Sequence, residues 1–130
     1  TMIRMTVNLD ADTAAAKLIE AVQAVPMGLV AHINGQANAA KRGLSVPADQ
    51  ILEVFRPDFA IRVWQAQKSA GIDIPLRIHL YEADARTVVA FREAKEVFAP
   101  YANPALDAIA AEIDPIFAGI LGALEPFKEN

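Results

Sequence analysis

The sequence predicts an α+β fold: a single-layer, five-stranded, largely antiparallel sheet with helices packed on one face. Three observations support this prediction. Five segments alternate apolar and polar residues, or are apolar on both sides, as β-strands do. The segments between them carry apolar residues at helical spacing. The last two strands are separated by a short turn, which makes them antiparallel neighbours. The predicted order is β-α-β-α-β-α-β-β-α.

The first strand is predicted over Met2 to Leu9, where apolar and polar residues alternate. A helix follows, because Asp10 or Asp12 is a good N-cap and the next residues are apolar at positions i, i+3, i+4 and i+7. Pro26 and Gly28 bracket its end. The apolar stripe of this helix consists of Ala15, Leu18, Ile19, Val22 and Val25.

Three further elements precede the middle of the chain. Met27 to Asn34 alternates and is predicted as the second strand, with His32 on its polar side. Residues 35–42 form a short alanine-rich helical turn that ends at Gly43. Gln50 to Arg56 is apolar on both sides, which is typical of a more central strand. A helix then begins at Pro57, since proline suits a first helical turn, and it stops near Gly71.

The segment Ile74 to Glu82 has the clearest pattern in the chain. Its strict alternation predicts a half-buried strand. Asp84-Ala85 then forms a tight turn, and residues 87–92 return as the fifth strand. The even positions, predicted to enter the core, are Ile74, Leu76, Ile78 and Leu80, and the odd positions on the other face are Pro75, Arg77, His79 and Tyr81.

The C-terminal helix is predicted to begin at Asn103-Pro104, a cap followed by proline at the first position. Pro115 is expected to kink or divide it, because proline removes a donor and clashes one turn back. Its apolar stripe is wider than one sheet edge needs, so we expect residues 103–130 to take part in association with a second copy. The stripe consists of Leu106, Ile109, Ile113, Ile116, Phe117, Ile120, Leu121 and Leu124.

Composition limits the class of protein. The 130 residues are expected to form one domain, 1–130. A net charge of −4 with scattered basic residues argues against nucleic-acid binding. There is no cysteine, which excludes disulfides and thiolate chemistry. No apolar run is long enough to cross a membrane, and no secretory signal follows Thr1-Met2, so we expect a cytoplasmic protein without a membrane partner.

Three motifs, in order and spacing, resemble the family known as domain of unknown function 302, over roughly Thr6 to Tyr101. The resemblance implies a TBP-like α+β fold that often forms dimers. The resemblance implies no particular activity, cofactor or catalytic residue. Whether the protein uses a cofactor is therefore unknown. The motifs are Asn38-Ala39-Ala40 with Gly43-Leu44, then Pro47 with Ile51 to Phe55 and Pro57, and then Pro75 with Leu76-Arg77-Ile78 and Tyr81-Glu82.

The chain departs from the family pattern in three places. Family members often have Gly-Asn-Pro after the phenylalanine of the third strand, where this chain has Phe55-Arg56-Pro57. A glycine usually occupies the hairpin position of Ala85. The segment from Asn103 onward is less typical of the family, and we expect it to be an extension of a subgroup.

The candidate ligand-binding residues are Arg77, His79, Tyr81 and His32. Both histidines fall on the polar side of a predicted strand, so they converge if the two strands are neighbours. An arginine fork beside an imidazole with adjustable charge suits an anion or a carboxylate. The alternative is that these residues line a solvated or dimer-buried sheet face, since polar strand faces are routine in antiparallel sheets.

Other chemistries have little support. A metal site would need Glu82 or Asp84 to join the histidines, and no zinc-binding His/Glu spacing occurs, so we expect no metal. Neither Ser45 nor Ser69 lies in a nucleophile elbow, and no phosphate-binding glycine loop is present. Trp64, on a helix with Ile61, is predicted to lie in the core.

Three functions follow as hypotheses. The first is a small homodimeric domain that binds a ligand or partner through the polar sheet face. The second is an enzyme with His79 as general acid/base and Arg77 as anion anchor. Under the other two hypotheses we expect no catalytic residue. The third is a purely structural or protein-interaction module that docks through its C-terminal helix.

Overall fold

The computed structural model describes residues 1–129 and confirms the predicted α+β fold. Its sheet has five strands in the order β1-β5-β4-β3-β2, and every neighbouring pair is antiparallel. The hairpin turn is also as predicted, because Asp84 and Ala85 have φ values of 51° and 62°, the left-handed conformation that tight hairpins require. The strands are β1 (Ile3–Val7), β2 (Leu29–Asn34), β3 (Asp49–Val54), β4 (Leu76–Ala83) and β5 (Arg86–Phe91).

Five α-helices and three short 3₁₀ segments accompany the sheet among residues 1–129. Asp10 caps α1 by accepting a hydrogen bond from the Thr13 amide at 2.7 Å. Among residues 1–129, no helix is long and apolar enough to cross a membrane. The helices are α1 (Ala11–Ala24), α2 (Gly35–Ala40), α3 (Pro57–Ala66), α4 (Ala94–Phe98) and α5 (Pro104–Leu121), and the 3₁₀ segments are Lys68–Asp73, Ala99–Tyr101 and Gly122–Phe127.

The core lies between the sheet and the helices, where α1 packs against β3, β4 and β5. Leu76, Ile78 and Leu80 of β4 are buried there, as the alternation predicted. Ile74 precedes the strand and is only partly buried. The alternate residues of the strands therefore form a second face, the open face, which is the one that the core does not use.

Helix α5 belongs to this core. The apolar stripe assigned to a partner is buried within the chain itself, since all of its large side chains except the half-buried Ile116 are enclosed. This burial accounts for the width of the stripe, and association through residues 103–130 stays a prediction. Helix α5 also runs undivided through Pro115, and its neighbours Ile113 and Phe117 are buried in the core.

Helix α3 corrects the prediction for Trp64. Its buried stripe is formed by Phe59 and Val63, four residues apart, so the side that carries Trp64 faces away from the core. Trp64 is 43% exposed, and the prediction that it lies in the core is wrong. The indole instead covers the backbone at Gly71, where a Cβ would lie 3.1 Å from the indole Nε1.

A β-bulge in β2 changes which residues share a face. Leu29 pairs with Val54, but Ala31 pairs with Glu53, so two steps along β2 match one step along β3. The extra residue, Val30, inverts the alternation after it. His32 therefore lies on the same side as the buried Leu52, whereas the sequence placed it with the polar face.

The two edges of the sheet differ. The tail at residues 127–129 covers the outer edge of β1: Asn8 donates to the Phe127 carbonyl and Glu129 donates to the Thr6 carbonyl, each at 2.9 Å. The edge of β2 carries no such strand among residues 1–129, and it exposes Val30 and Ile33. The β2 edge is therefore the one with free backbone groups.

Candidate ligand-binding cleft on the open sheet face

Cross-strand pairing arranges the open face in rows. Because directly paired residues of antiparallel strands point to the same side, the register gives the neighbours of each side chain. His79 lies between Ala90 and Ile51, and Tyr81 lies between Val88 and Asp49. Read across the strands, the first row is Arg4, Ala90, His79, Ile51 and Ile33, and the second is Thr6, Val88, Tyr81 and Asp49.

His79 is held by two neighbours. Its Nε2 lies 2.9 Å from the Asp49 Oδ1, and its ring packs on Tyr81 with centroids 4.9 Å apart. A carboxylate can only accept here, so Nε2 carries the hydrogen and Nδ1 is left as an acceptor when the imidazole is neutral. Asp49 thus fixes the orientation and the tautomer of the imidazole.

A cleft of about 700 Å³ opens where this face meets the 3₁₀ segment at residues 68–73 and helix α4. Its floor includes Arg77, His79 and Ala90, and its walls include Ile72 and Val97. The volume is in the range of small-molecule sites. Two of the predicted ligand-binding residues, Arg77 and His79, lie in this cleft, and Tyr81 lies beside it against His79.

The charged groups of the cleft fall into two sets. Asp73 accepts a hydrogen bond from the Tyr101 hydroxyl, which raises the pKa of the Tyr101 phenol. Glu96 pairs with the amino terminus of the chain. Within residues 1–129, by contrast, Arg77, Arg92 and Glu53 form no ion pair. These three side chains are therefore the charged groups available to a ligand.

His32 does not belong to this cleft, and its predicted convergence with His79 is wrong. Strand β3 separates β2 from β4, and the bulge places the two imidazoles on opposite faces. His32 Nε2 instead lies 2.6 Å from the Gln50 Oε1, and Gln50 Nε2 donates to the Asp12 Oδ1 at 2.7 Å. Gln50 is only 1% exposed, so this chain of bonds satisfies a buried amide.

A second cavity, of about 350 Å³, lies near the start of α1 and the β4–β5 hairpin. It is lined by carboxylates, including Asp12 and Glu82, and by Arg86. Arg86 is engaged by Glu129 at 2.5 Å. Among residues 1–129, no group of three or more histidines and carboxylates is placed to hold a metal ion.

Four residues of the site were not identified from the sequence: Asp49, Glu53, Ala90 and Arg92. Their signal is weak, because each is an ordinary member of an alternating strand or its end. What joins them to Arg77 and His79 is the strand order, in which β4 lies at the centre between β3 and β5. Pairing of that kind follows from the whole fold and from no single segment.

The fold and the cleft define a small α+β domain with one open sheet face. The family model described as Domain of unknown function DUF302 matches residues 3–124, and the chain belongs to this family. The match reaches beyond Asn103 to residue 124, which corrects the expectation that the C-terminal segment is a subgroup extension. No curated protein matches the chain.

A solved structure shares this architecture. The chain is similar to an uncharacterized conserved protein DUF302 from Bacillus stearothermophilus, whose crystal structure superposes with a TM-score of 0.82. The identity is 22%, and the alignment covers 95% of this chain and 97% of the other. At that identity the likeness shows the fold, so the cleft must be interpreted from the residues of this chain.

Proposed function

We propose that this domain binds a small ligand with an acidic group in the cleft of the open face. The observation that carries the proposal is the pair Arg77 and Arg92, which line the cleft without an ion-pair partner among residues 1–129. A guanidinium presents a planar fork of donors that fits a carboxylate in two bonds. His79, oriented by Asp49, adds a further polar group to the floor.

A binding experiment tests the role of Arg77. Wild type and Arg77→Ala are titrated calorimetrically with a panel of carboxylates, sulfonates, phosphates and amino acids. Since a hydrogen bond to a charged group contributes roughly 1.5–3 kcal/mol, we expect the substitution to weaken binding by about tenfold to a hundredfold. Arg42→Ala is the control, because Arg42 is an exposed arginine outside the cleft.

Equal weakening by both substitutions would show a general charge effect and would contradict a specific site. Absence of any compound in the panel whose binding depends on Arg77 would also contradict the proposal. Circular dichroism of each variant establishes that the fold is retained. Because Arg77 is exposed and forms no ion pair among residues 1–129, its loss is expected to leave stability within about 0.5 kcal/mol of wild type.

The Asp49–His79 pair favours a second candidate function, an enzyme in which His79 acts as general acid/base. A carboxylate that orients an imidazole beside an anion anchor is a recurring arrangement in acid–base catalysis. For any turnover found with the panel, His79→Gln should lower the rate while ligand binding persists. Retention of the full rate in that variant would exclude His79 from the chemistry.

We further propose that the domain functions as a homodimer, supported by the bare β2 edge and by the apolar Ile33 exposed beside it. An edge strand without cover is a ready template for pairing with another strand. Sedimentation is expected to show a dimer for wild type and a monomer for Ile33→Asp. Leu44→Asp is the control at an exposed leucine outside the strands, and a monomeric wild type would contradict the proposal.

A further inference from the structure

The charge pattern of the cleft bears on what kind of acid it accepts. Of its three carboxylates, Asp73 accepts a hydrogen bond from the Tyr101 hydroxyl, and Glu96 lies on α4 at the wall. Glu53 is the one that lies on a strand of the sheet, and it forms no ion pair among residues 1–129. A ligand that carried several negative charges would bring them close to this carboxylate, and close like charges repel.

Glu53 lies directly across from Arg77 in the β3–β4 register, yet the two form no ion pair. Adjacent strands are roughly 4.8 Å apart, so the Glu53 carboxylate and the Arg77 guanidinium project from neighbouring positions on the floor. One small molecule with a carboxylate and an ammonium group can engage both. Arg92, on the far side of Arg77 from Glu53, strengthens the positive end of this arrangement.

Much of the remaining lining of the cleft is apolar. Ile51 and Ala90 lie in the floor, and Ile72, Ile74 and Val97 lie in the walls. Ala90 contributes only a methyl group to the floor and is 4% exposed between Arg4 and His79, so the apolar surface open to a ligand is mainly that of the walls. Apolar lining with a few oriented polar groups is the usual composition of a small-molecule site.

We infer that the ligand class is a small zwitterion with an apolar body, such as an apolar amino acid, with its carboxylate on Arg77 and Arg92 and its ammonium group on Glu53. The inference rests on the proposed function, because it assigns the acidic group to the same arginine anchor. It goes further in assigning the opposite end of the ligand to Glu53 and the apolar body to the walls at Ile72, Ile74 and Val97.

Calorimetry with matched probes tests this inference. Each amino acid of a panel (alanine, valine, leucine and phenylalanine) is compared with its acid analogue lacking the amine and its amine analogue lacking the carboxylate. For leucine these are 4-methylpentanoate and 3-methylbutylamine. We expect at least one amino acid to bind about tenfold more tightly than both of its analogues, because each analogue lacks one of the two charge-assisted contacts.

Two substitutions separate the ends of the ligand. Glu53→Gln should remove the advantage of the amino acid over its acid analogue, and Arg77→Ala should remove its advantage over its amine analogue. Ile72→Ala, which shortens an exposed side chain of the wall, should weaken the binding of the larger members of the panel most. Glu20→Gln, at an exposed glutamate on α1, is the matched control and should change none of the affinities.

The outcomes distinguish the inference from the proposed function. Acid analogues that bind as tightly as the amino acids, with Arg77 required and Glu53 dispensable, would overturn the zwitterion inference and leave acid binding intact. Phosphates or dicarboxylates that bind more tightly than every amino acid would do the same. If no compound of the panels bound the wild type in a way that depends on Arg77, the zwitterion inference and the proposed function would both be overturned.

Discussion

At the scale of single residues, the buried Gln50 shows how a polar side chain is kept in a core. Its amide accepts from His32 and donates to Asp12, so neither of its ends is left unsatisfied. The bond to Asp12 fixes which end of the amide is oxygen and which is nitrogen. Because Gln50 joins β2, β3 and α1, it ties the edge strand to the first helix.

Removal of this side chain should therefore be costly. Gln50→Ala leaves a void and breaks both hydrogen bonds, and we expect it to destabilise the fold by about 2–3 kcal/mol. Gln50→Leu fills the space, so its cost should be below about 1 kcal/mol, since His32 and Asp12 are exposed and can be hydrated. Chemical denaturation measures both, with exposed Gln23→Ala as control; a neutral Gln50→Ala would contradict the account.

The residue scale also shows where sequence reasoning fails. Alternation correctly assigned Leu76, Ile78 and Leu80 to the core, because β4 is regular along its length. The same reasoning failed for His32, since one extra residue in β2 inverts the faces that follow it. No local feature of Leu29–Asn34 marks that bulge, which depends on the pairing with β3.

At the scale of elements, α5 could be predicted and α4 could not, because the residue that caps each helix lies at a different distance along the chain. Helix α5 begins at Asn103 as predicted, because the cap and the proline after it are adjacent in the chain. Helix α4 was not predicted, since its amides at Ala94 and Lys95 are capped by the Asp114 carboxylate of α5, at 2.7 and 3.2 Å. A cap supplied from twenty residues away has no local signature.

Asn103 also joins two helices. Its Oδ1 accepts from the Ala105 amide at 2.9 Å, and its Nδ2 donates to the Ala66 carbonyl at 3.1 Å, at the end of α3. We expect Asn103→Ala to lower the free energy of unfolding by about 1–2 kcal/mol. Asn103→Asp keeps the acceptor and loses the donor, so it should fall between wild type and Asn103→Ala. Equal stability of all three would contradict the double role.

The ion pair between α3 and α5 gives a pH prediction. Arg62 contacts Glu112 through two nitrogens, one at 3.1 Å, and this hydrogen bonding lowers the pKa of Glu112 below the ordinary value of 4.5. A carboxyl with a lowered folded-state pKa contributes stability above its unfolded-state pKa and loses it as the pH falls through the folded-state pKa.

The stability difference between wild type and Glu112→Gln should therefore be constant at neutral pH, begin to shrink as the pH falls below about 4.5, and vanish once the pH is below the lowered folded-state pKa. It should be small, because the pair is exposed, and smaller still in high salt. Thermal unfolding at a series of pH values measures it. A difference that persisted unchanged at pH 3 would show that the ionised pair is not its source.

At the scale of the whole molecule, α5 is part of the folding unit. Leu106, Ile113 and Phe117 are enclosed by the rest of the chain, and each buried aliphatic or aromatic side chain of this kind contributes several kcal/mol. Deletion of residues 103–130 should therefore abolish cooperative folding. A truncated chain that still unfolded cooperatively, with the sheet intact by circular dichroism, would restore α5 as a separate docking element.

The cleft itself emerges only at this scale. Arg77 and His79 were predicted from a single strand, and the structure places both in the cleft. Glu53 comes from β3, Ala90 from β5 and Arg92 from the position just after β5, and the walls come from a 3₁₀ segment and α4. The sequence therefore predicted the site residues that lie together on β4. The site residues from other elements could be identified only once the strand order was known.

The central claim is that the open-face cleft around Arg77 is the ligand site. An NMR titration of the ¹⁵N-labelled chain with the tightest-binding compound of the acid and amino-acid panels tests it most directly. The account predicts saturable amide shifts centred on Arg77, His79 and Ala90, and their loss in Arg77→Ala. Shifts centred instead on the second cavity, around Asp12 and Thr87, would contradict it, as would the absence of saturable shifts with every compound.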